Sequence, residues 1–253
     1  MKPAIWLMGL AVFATIGSGR AGLAQSARAP AQATPASRAR PVSTSPATTP
    51  PPASASPPAV TTAQPRAAAP ESFAVTGFRS ARFGANEAEV LGAIAADFGI
   101  RKEAVRIEEN AAEMTRVLVI SVPDLLEGGG RADIGYVLGY RSRSLIQVGL
   151  TWSHATDEAM TPERLFSNAN ILRAHFLQAG YAADTIVTNA VVNGGLLMFR
   201  GSDADGRTTA MMLQGALQKG EANQRVLTPT ALLVYYIADS KTPDVFKLKP
   251  GSF

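Results

Sequence analysis

The chain has 253 residues, no cysteine and a formal net charge of +4, with a sequence pI near 9.6. Without thiols there is no disulfide and no thiolate metal site, so any folded region depends on a packed core. The basicity does not indicate nucleic acid: all twenty Asp and Glu follow Pro70, against eighteen of the Lys and Arg, which leaves that region at −2 and removes the main support for a polyanion-binding patch.

In chain order, Lys2 precedes a thirteen-residue apolar run, Ala4 to Ile16, then small residues and Gly22-Leu23-Ala24. A spanning helix needs roughly 18 or more apolar residues, so residues 1–24 are read as a cleaved export signal, with a retained anchor as the alternative. A lipoprotein would need a cysteine at the cleavage point. The expected location is periplasmic or secreted, with no transmembrane segment after cleavage. Residues 25–70 consist almost wholly of Ala, Pro, Ser, Thr and Gln, and eleven of the seventeen prolines lie between Pro30 and Pro70. Such a segment buries too little apolar surface to offset its ordering entropy and is read as a disordered tether. Its arginines, Arg28, Arg38, Arg40 and Arg66, are read as aids to solubility, the alternative being contact with an anionic membrane or cell wall.

Residues 71–253 carry structure-forming periodicities. Asn86 and Glu89 form a capping-box pattern before Val90, Ile94 and Phe98, and Gly99 stands where a helix would end. Strand-like segments follow at 116–122, 134–140 and 145–152, with a turn at 141–144. A second helix opens at Thr161-Pro162-Glu163, carries Leu165, Ala169, Leu172 and Phe176 on one face, and is expected to close at Gly180. Further strands are expected at 185–192, 196–201, 208–217 and 232–238, with Asp203-Ala204-Asp205-Gly206 as a hairpin turn. No crossover helix is available between strands, so the sheet should be antiparallel. The fold class is therefore α+β, with two helix-then-strand halves at 71–157 and 158–253, packed as one or two small domains. A degenerate duplication is one reading of that order.

Catalytic constellations are sparse. His154 and His175 are the two histidines, twenty-one residues apart without a helical metal-binding spacing. Ser153, His154 and Asp157 are sequence neighbours, which rarely converge as a triad, and there is no Gly-x-Ser-x-Gly elbow. A Ser-Lys dyad or a carboxylate pair would leave little trace, and Asp124, Glu127 and Asp133 are the acids an enzymatic cleft would gather. The Asp203–Gly206 segment lacks the remaining ligands of a calcium loop, and Gly128-Gly129-Gly130 is read as a flexible loop rather than a phosphate cradle. Tyr235 and Tyr236 should point to opposite faces, one inward and one outward, and Trp152 and Tyr140 would either pack or line a recognition surface. The terminal Phe253 follows Pro250-Gly251-Ser252, which forbids the closing strand of an outer-membrane barrel. No cofactor or metal is expected, and catalytic residues stay unassigned.

The segment Phe83-Gly84-Ala85-Asn86-Glu87-Ala88-Glu89-Val90 resembles the Gly-x-Ser/Thr-x-x-x-Val helix entry of small outer-membrane assembly lipoproteins. That resemblance, shared with the tandem-repeat β-lactamase-inhibitory proteins of similar fold, implies short helices packed on an antiparallel sheet. This chain departs from it in lacking the lipid-bearing cysteine and a paired second helix. The region from Phe78 onward also resembles uncharacterised exported bacterial proteins, which implies no activity, and no functional residue is carried over. Together these features predict a non-enzymatic exported or envelope-associated interaction domain, of which a stoichiometric enzyme inhibitor is a special case. Its partner would be an envelope protein or another macromolecule, not nucleic acid. The alternative is a periplasmic hydrolase acting on cell-wall or peptide substrates.

Overall fold

The computed structural model describes residues 73–219, 225–248 and Gly251. The signal and tether readings and the terminal Phe253 lie outside the described residues. The first helix, α1 (Glu87–Phe98), begins as its sequence predicts. Asn86 Oδ1 accepts from Glu89 N at 3.1 Å and Glu89 Oε2 accepts from Asn86 N at 2.8 Å, a reciprocal box that satisfies two orphan donors. Gly99 ends the helix with φ +66°, a left-handed conformation open to a residue without Cβ. The second helix, α2 (Pro162–Gln178), opens on Thr161, whose hydroxyl accepts from Arg164 N at 3.3 Å. It closes at Ala179 in a right-handed conformation. Gly180 follows with φ +101°, where a Cβ would come within 3.0 Å of the Phe73 side chain.

Among the described residues there are ten strands: β1 (Gly77–Phe78), β2 (Ala81–Arg82), β3 (Arg106–Asn110), β4 (Thr115–Val122), β5 (Ala132–Leu138), β6 (Leu145–Ser153), β7 (Ala190–Val192), β8 (Gly195–Ser202), β9 (Thr208–Lys219) and β10 (Arg225–Ile237). The first two form a small hairpin. The other eight make one antiparallel sheet in the order β3-β4-β5-β6-β10-β9-β8-β7. That order is linear, with β3 and β7 at its edges, so the sheet does not close into a barrel. The fold is α+β. Among the described residues no helix is long and apolar enough to cross a membrane.

Three departures from the sequence reading have physical causes. Strand β3 (Arg-Ile-Glu-Glu-Asn) carries no alternating apolar pattern because it is a sheet edge, where charged side chains blunt unwanted pairing. The first half of β10 contains Pro229, which argues against a strand, yet the proline sits at a register shift between Pro229 and Ala231, before pairing with β6 begins. The expected strand at 185–192 shrinks to Ala190–Val192, preceded by a short 3-10 turn and a single bridge from Val187 to Arg200.

Two loops are also firmer than expected. Gly129 is buried, and its carbonyl accepts from the Asn168 side chain of α2 at 2.8 Å; a Cβ there would lie 2.8 Å from Leu126 O. The glycine run is thus a docked loop, and its glycines serve close packing. The Asp203–Gly206 hairpin turn spans residues 203–207. Asp203 Oδ1 accepts from Asp205 N and Arg207 N, while Oδ2 accepts from Val75 N at 2.8 Å, so one buried carboxylate closes the turn and anchors the start of the described chain.

Both helices pack on one face of the sheet. Val90 and Ile94 from α1 and Leu165, Ala169 and Phe176 from α2 meet Leu118, Ile134, Tyr136, Val148, Trp152, Met211, Leu213, Leu232 and Val234. Trp152 is 1% exposed in this core, which excludes it from a recognition surface. Phe176 sits among Tyr181, Phe199 and Tyr236 with ring centroids 5.3 to 6.4 Å apart. Truncating it should therefore cost about 3–5 kcal/mol in urea unfolding. Ile171, half exposed on the same helix, should change stability by less than about 0.5 kcal/mol on substitution by Ala. Equal effects of the two substitutions would contradict this placement of α2.

Candidate docking surface

The residues that would serve a hydrolase do not come together. His154 and His175 are exposed, the latter with its ring 5.5 Å from that of Phe176. Ser153 Oγ turns to Thr156. Asp157 accepts from Arg131 N and Ala159 N, hydrogen bonds that hold its carboxyl below the ordinary value. These three side chains share no common partner. Asp124 and Glu127 are exposed in the loop after β4, while Asp133 pairs with Arg106 at 3.1 Å and with the Ser121 hydroxyl. Among the described residues no group of three or more His, Asp and Glu is placed to hold a metal ion.

Two open grooves are lined by ion pairs and loop contacts rather than by a nucleophile beside a base. One, of about 600 Å³, lies between the Tyr140–Arg141 turn and the C-terminal segment through Asp244, Phe246 and Lys247. Burial raises the Asp244 pKa, but hydrogen bonds from Ser142 and Arg141 outweigh it and hold the carboxyl low. Tyr140 here stacks edge-on against Phe246 at 5.6 Å, a packing contact. The other groove, of about 540 Å³, holds Arg116 between Glu87 at 3.2 Å and Glu109 at 3.3 Å.

The feature with the largest consequence is the sheet face opposite the helices. Strand alternation places Leu233, Tyr235 and Ile237 of β10 there, beside Met212 and Ala210 of β9 and Leu197 of β8. Across the sheet lie Val117, Val119 and Val137. Between these clusters Gly135 of β5 stands opposite Gly149 of β6, and Gly149 opposite Tyr235, so the middle of the face is a side-chain-free floor bounded by an aromatic ring. Gln147 adjoins it, 3% exposed, with its Oε1 buried and lacking a hydrogen-bond partner. An unsatisfied buried acceptor of this kind costs about 1–3 kcal/mol and gains from any donor brought to it.

Tyr235 and Tyr236 do point to opposite faces, but neither ring is turned out to water. Tyr236 packs with Phe78 and Phe176 on the helix side, and Tyr235 is 2% exposed on the other. The signal for this was present in sequence. Runs such as Leu232-Leu233-Val234-Tyr235-Tyr236-Ile237 and Val117-Leu118-Val119-Ile120 are apolar at every residue, the pattern of a strand buried on both faces rather than one. Reading β10 as half-buried missed it. The chain matches no protein-family model, no curated protein and no solved structure.

Burial raises the pKa of Tyr136, Tyr235 and Tyr236, and of Tyr181 to about 12, there outweighing the hydrogen bond to Thr209. The unfolded chain ionises its tyrosines near ~10. A raised folded pKa contributes stability that is whole below pH ~10 and is lost as pH rises through the folded values. The urea midpoint should fall steadily above pH ~10, and Tyr181→Phe should shallow that fall. A midpoint unchanged up to pH ~12 would contradict the burial of these rings.

Proposed function

We propose that the folded region is an exported, non-enzymatic interaction module that docks an envelope protein or another macromolecule through the sheet face opposite the described helices. The observation that carries this reading is the apolar face itself: Leu197, Met212, Leu233, Tyr235 and Ile237 pack with one another while both helices lie on the far side. Apolar side chains clustered on a sheet face away from the described helices suit the buried core of an interface. The face offers shape and apolar area with the Gln147 amide and the Thr151 hydroxyl beside it, which suits recognition.

In this reading residues 1–24 direct export and residues 25–70 hold the domain at a distance from its surroundings. The repeated order, α1 followed by the meander β3–β6 and α2 followed by β7–β10, supports a pair of related halves joined through one strand pair. The test is capture of the partner. The full chain, tagged after Phe253 and expressed in a Gram-negative host, should retain a stoichiometric protein in cross-linked envelope fractions. Deletion of residues 25–70 should leave that capture intact. Thr151→Arg with Ala231→Arg, two charges on this face alone, should lower it about tenfold or more without loss of helical circular dichroism. Processed protein recovered alone would sink the reading.

A further inference from the structure

The sheet face opposite the described helices has a recess at its centre. Gly135 of β5 and Gly149 of β6 stand side by side in register, with Val119 of β4 next to Gly135 and Tyr235 of β10 next to Gly149. Two positions along each strand the same face carries side chains again, Val137 and Gln147 at one end, Asp133 and Thr151 at the other. With strands about 4.8 Å apart and about 3.4 Å per residue, these walls enclose a floor roughly 14 Å in each direction, backbone to backbone. Neither glycine raises a side chain from it, so a ligand can approach the backbone closely.

One wall carries an unmet polar group. Gln147 is 3% exposed, and its buried Oε1 has no hydrogen-bond partner. Its neighbours across the ladders, Val137 and Ile237, are apolar and bring it no side-chain donor. The next position of this face along β6 is Gly149, so a donor for the amide comes from over the floor. The carboxylate at the far end is already engaged: Asp133 pairs with Arg106 at 3.1 Å and accepts from the Ser121 hydroxyl.

We propose that this floor is a seat for one flat aromatic ring carrying an N–H: the indole of a partner's tryptophan, laid on Gly135 and Gly149 with its N–H on Gln147 Oε1. The donor requirement excludes a phenylalanine, which would fill the recess and leave the acceptor unmet. A lysine or arginine would supply donors but bury a charge against a neutral amide, since Asp133 is taken. The bicyclic indole combines a large apolar face with a donor on its edge, and Tyr235, Val119 and Val137 give it one aromatic and two apolar walls. A tryptophan held in such a pocket is the kind of anchor that carries most of an interface's energy. The source of the ring rests on the docking reading above; the seat itself does not.

Indole and N-methylindole, titrated against the full chain by ligand-observed NMR, test the seat. Indole should bind, and the N-methyl compound about tenfold or more weakly, because only indole gives Gln147 a donor. Gly149→Val fills the floor and should abolish the binding of both. Gln147→Met keeps the shape and should bring the two affinities within about twofold of each other. No binding, equal affinities for the unsubstituted chain, or indole binding that survives Gly149→Val overturns the seat. Should Gly149→Val fail to fold, the Gln147→Met comparison decides, and a preference for indole that persists there overturns it. The source is read from the cross-linked capture, where indole added beforehand should lower recovery of the partner about tenfold and N-methylindole should not. Capture unmoved by indole overturns the tryptophan anchor and leaves the docking reading standing. Indole binding with nothing captured refutes the docking reading, and with it the partner as source, while the seat stands.

Discussion

The fold turns on the pairing of β6 with β10. Seven consecutive residues of β10, Ala231 to Ile237, oppose Ser153 to Gln147 in an antiparallel register. This is the single ladder that joins the meander β3–β6 to the strands β7–β10. These strands pair residues more than seventy positions apart in sequence, a contact whose loop-closure entropy is offset only when both faces of the joined sheet are covered. On one face α1 and α2 do this. Trp152, Val148 and Leu150 of β6 share that core with Leu232 and Val234 of β10, so the helix side is continuous across the ladder.

The same ladder creates the problem on the other side. Because strand side chains alternate, β10 cannot bury Leu232, Val234 and Tyr236 against the helices without presenting Leu233, Tyr235 and Ile237 opposite. A domain that required only one buried face would place polar residues there, as β3 does with Arg106 and Glu108 at the sheet edge. Instead this face carries apolar clusters over β8–β10 and over β4–β5, with Gln147 and Thr151 of β6 between them and the Arg106–Asp133 pair at the β3 edge.

What was legible in sequence was local. Asn86 with Glu89, Gly99, and Thr161 with Pro162 mark helix ends because capping is settled within four residues by hydrogen bonds the chain makes to itself. The antiparallel class followed from the lack of crossover helices. What was not legible depended on neighbours far away in the chain. Edge strand β3 is a strand only because Val117 to Val119 lie beside it; Pro229 is tolerated only because β6 has not yet begun to pair; Asp203 is buried because Val75, 128 residues distant, needs an acceptor. The face opposite the described helices was half-legible. The unbroken apolar runs announced strands covered on both sides, but no local pattern said that the helices would both choose the same side.

That choice bears on charge as well. The folded region, at −2 over eighteen basic and twenty acidic residues, has no long-range field with which to gather a partner, and surface ion pairs such as Arg116 with Glu87 and Glu109 contribute little to stability or steering. If a partner docks on the apolar face as proposed, it would arrive at the unsteered rate of about 10⁵–10⁶ per molar per second, with weak dependence on salt.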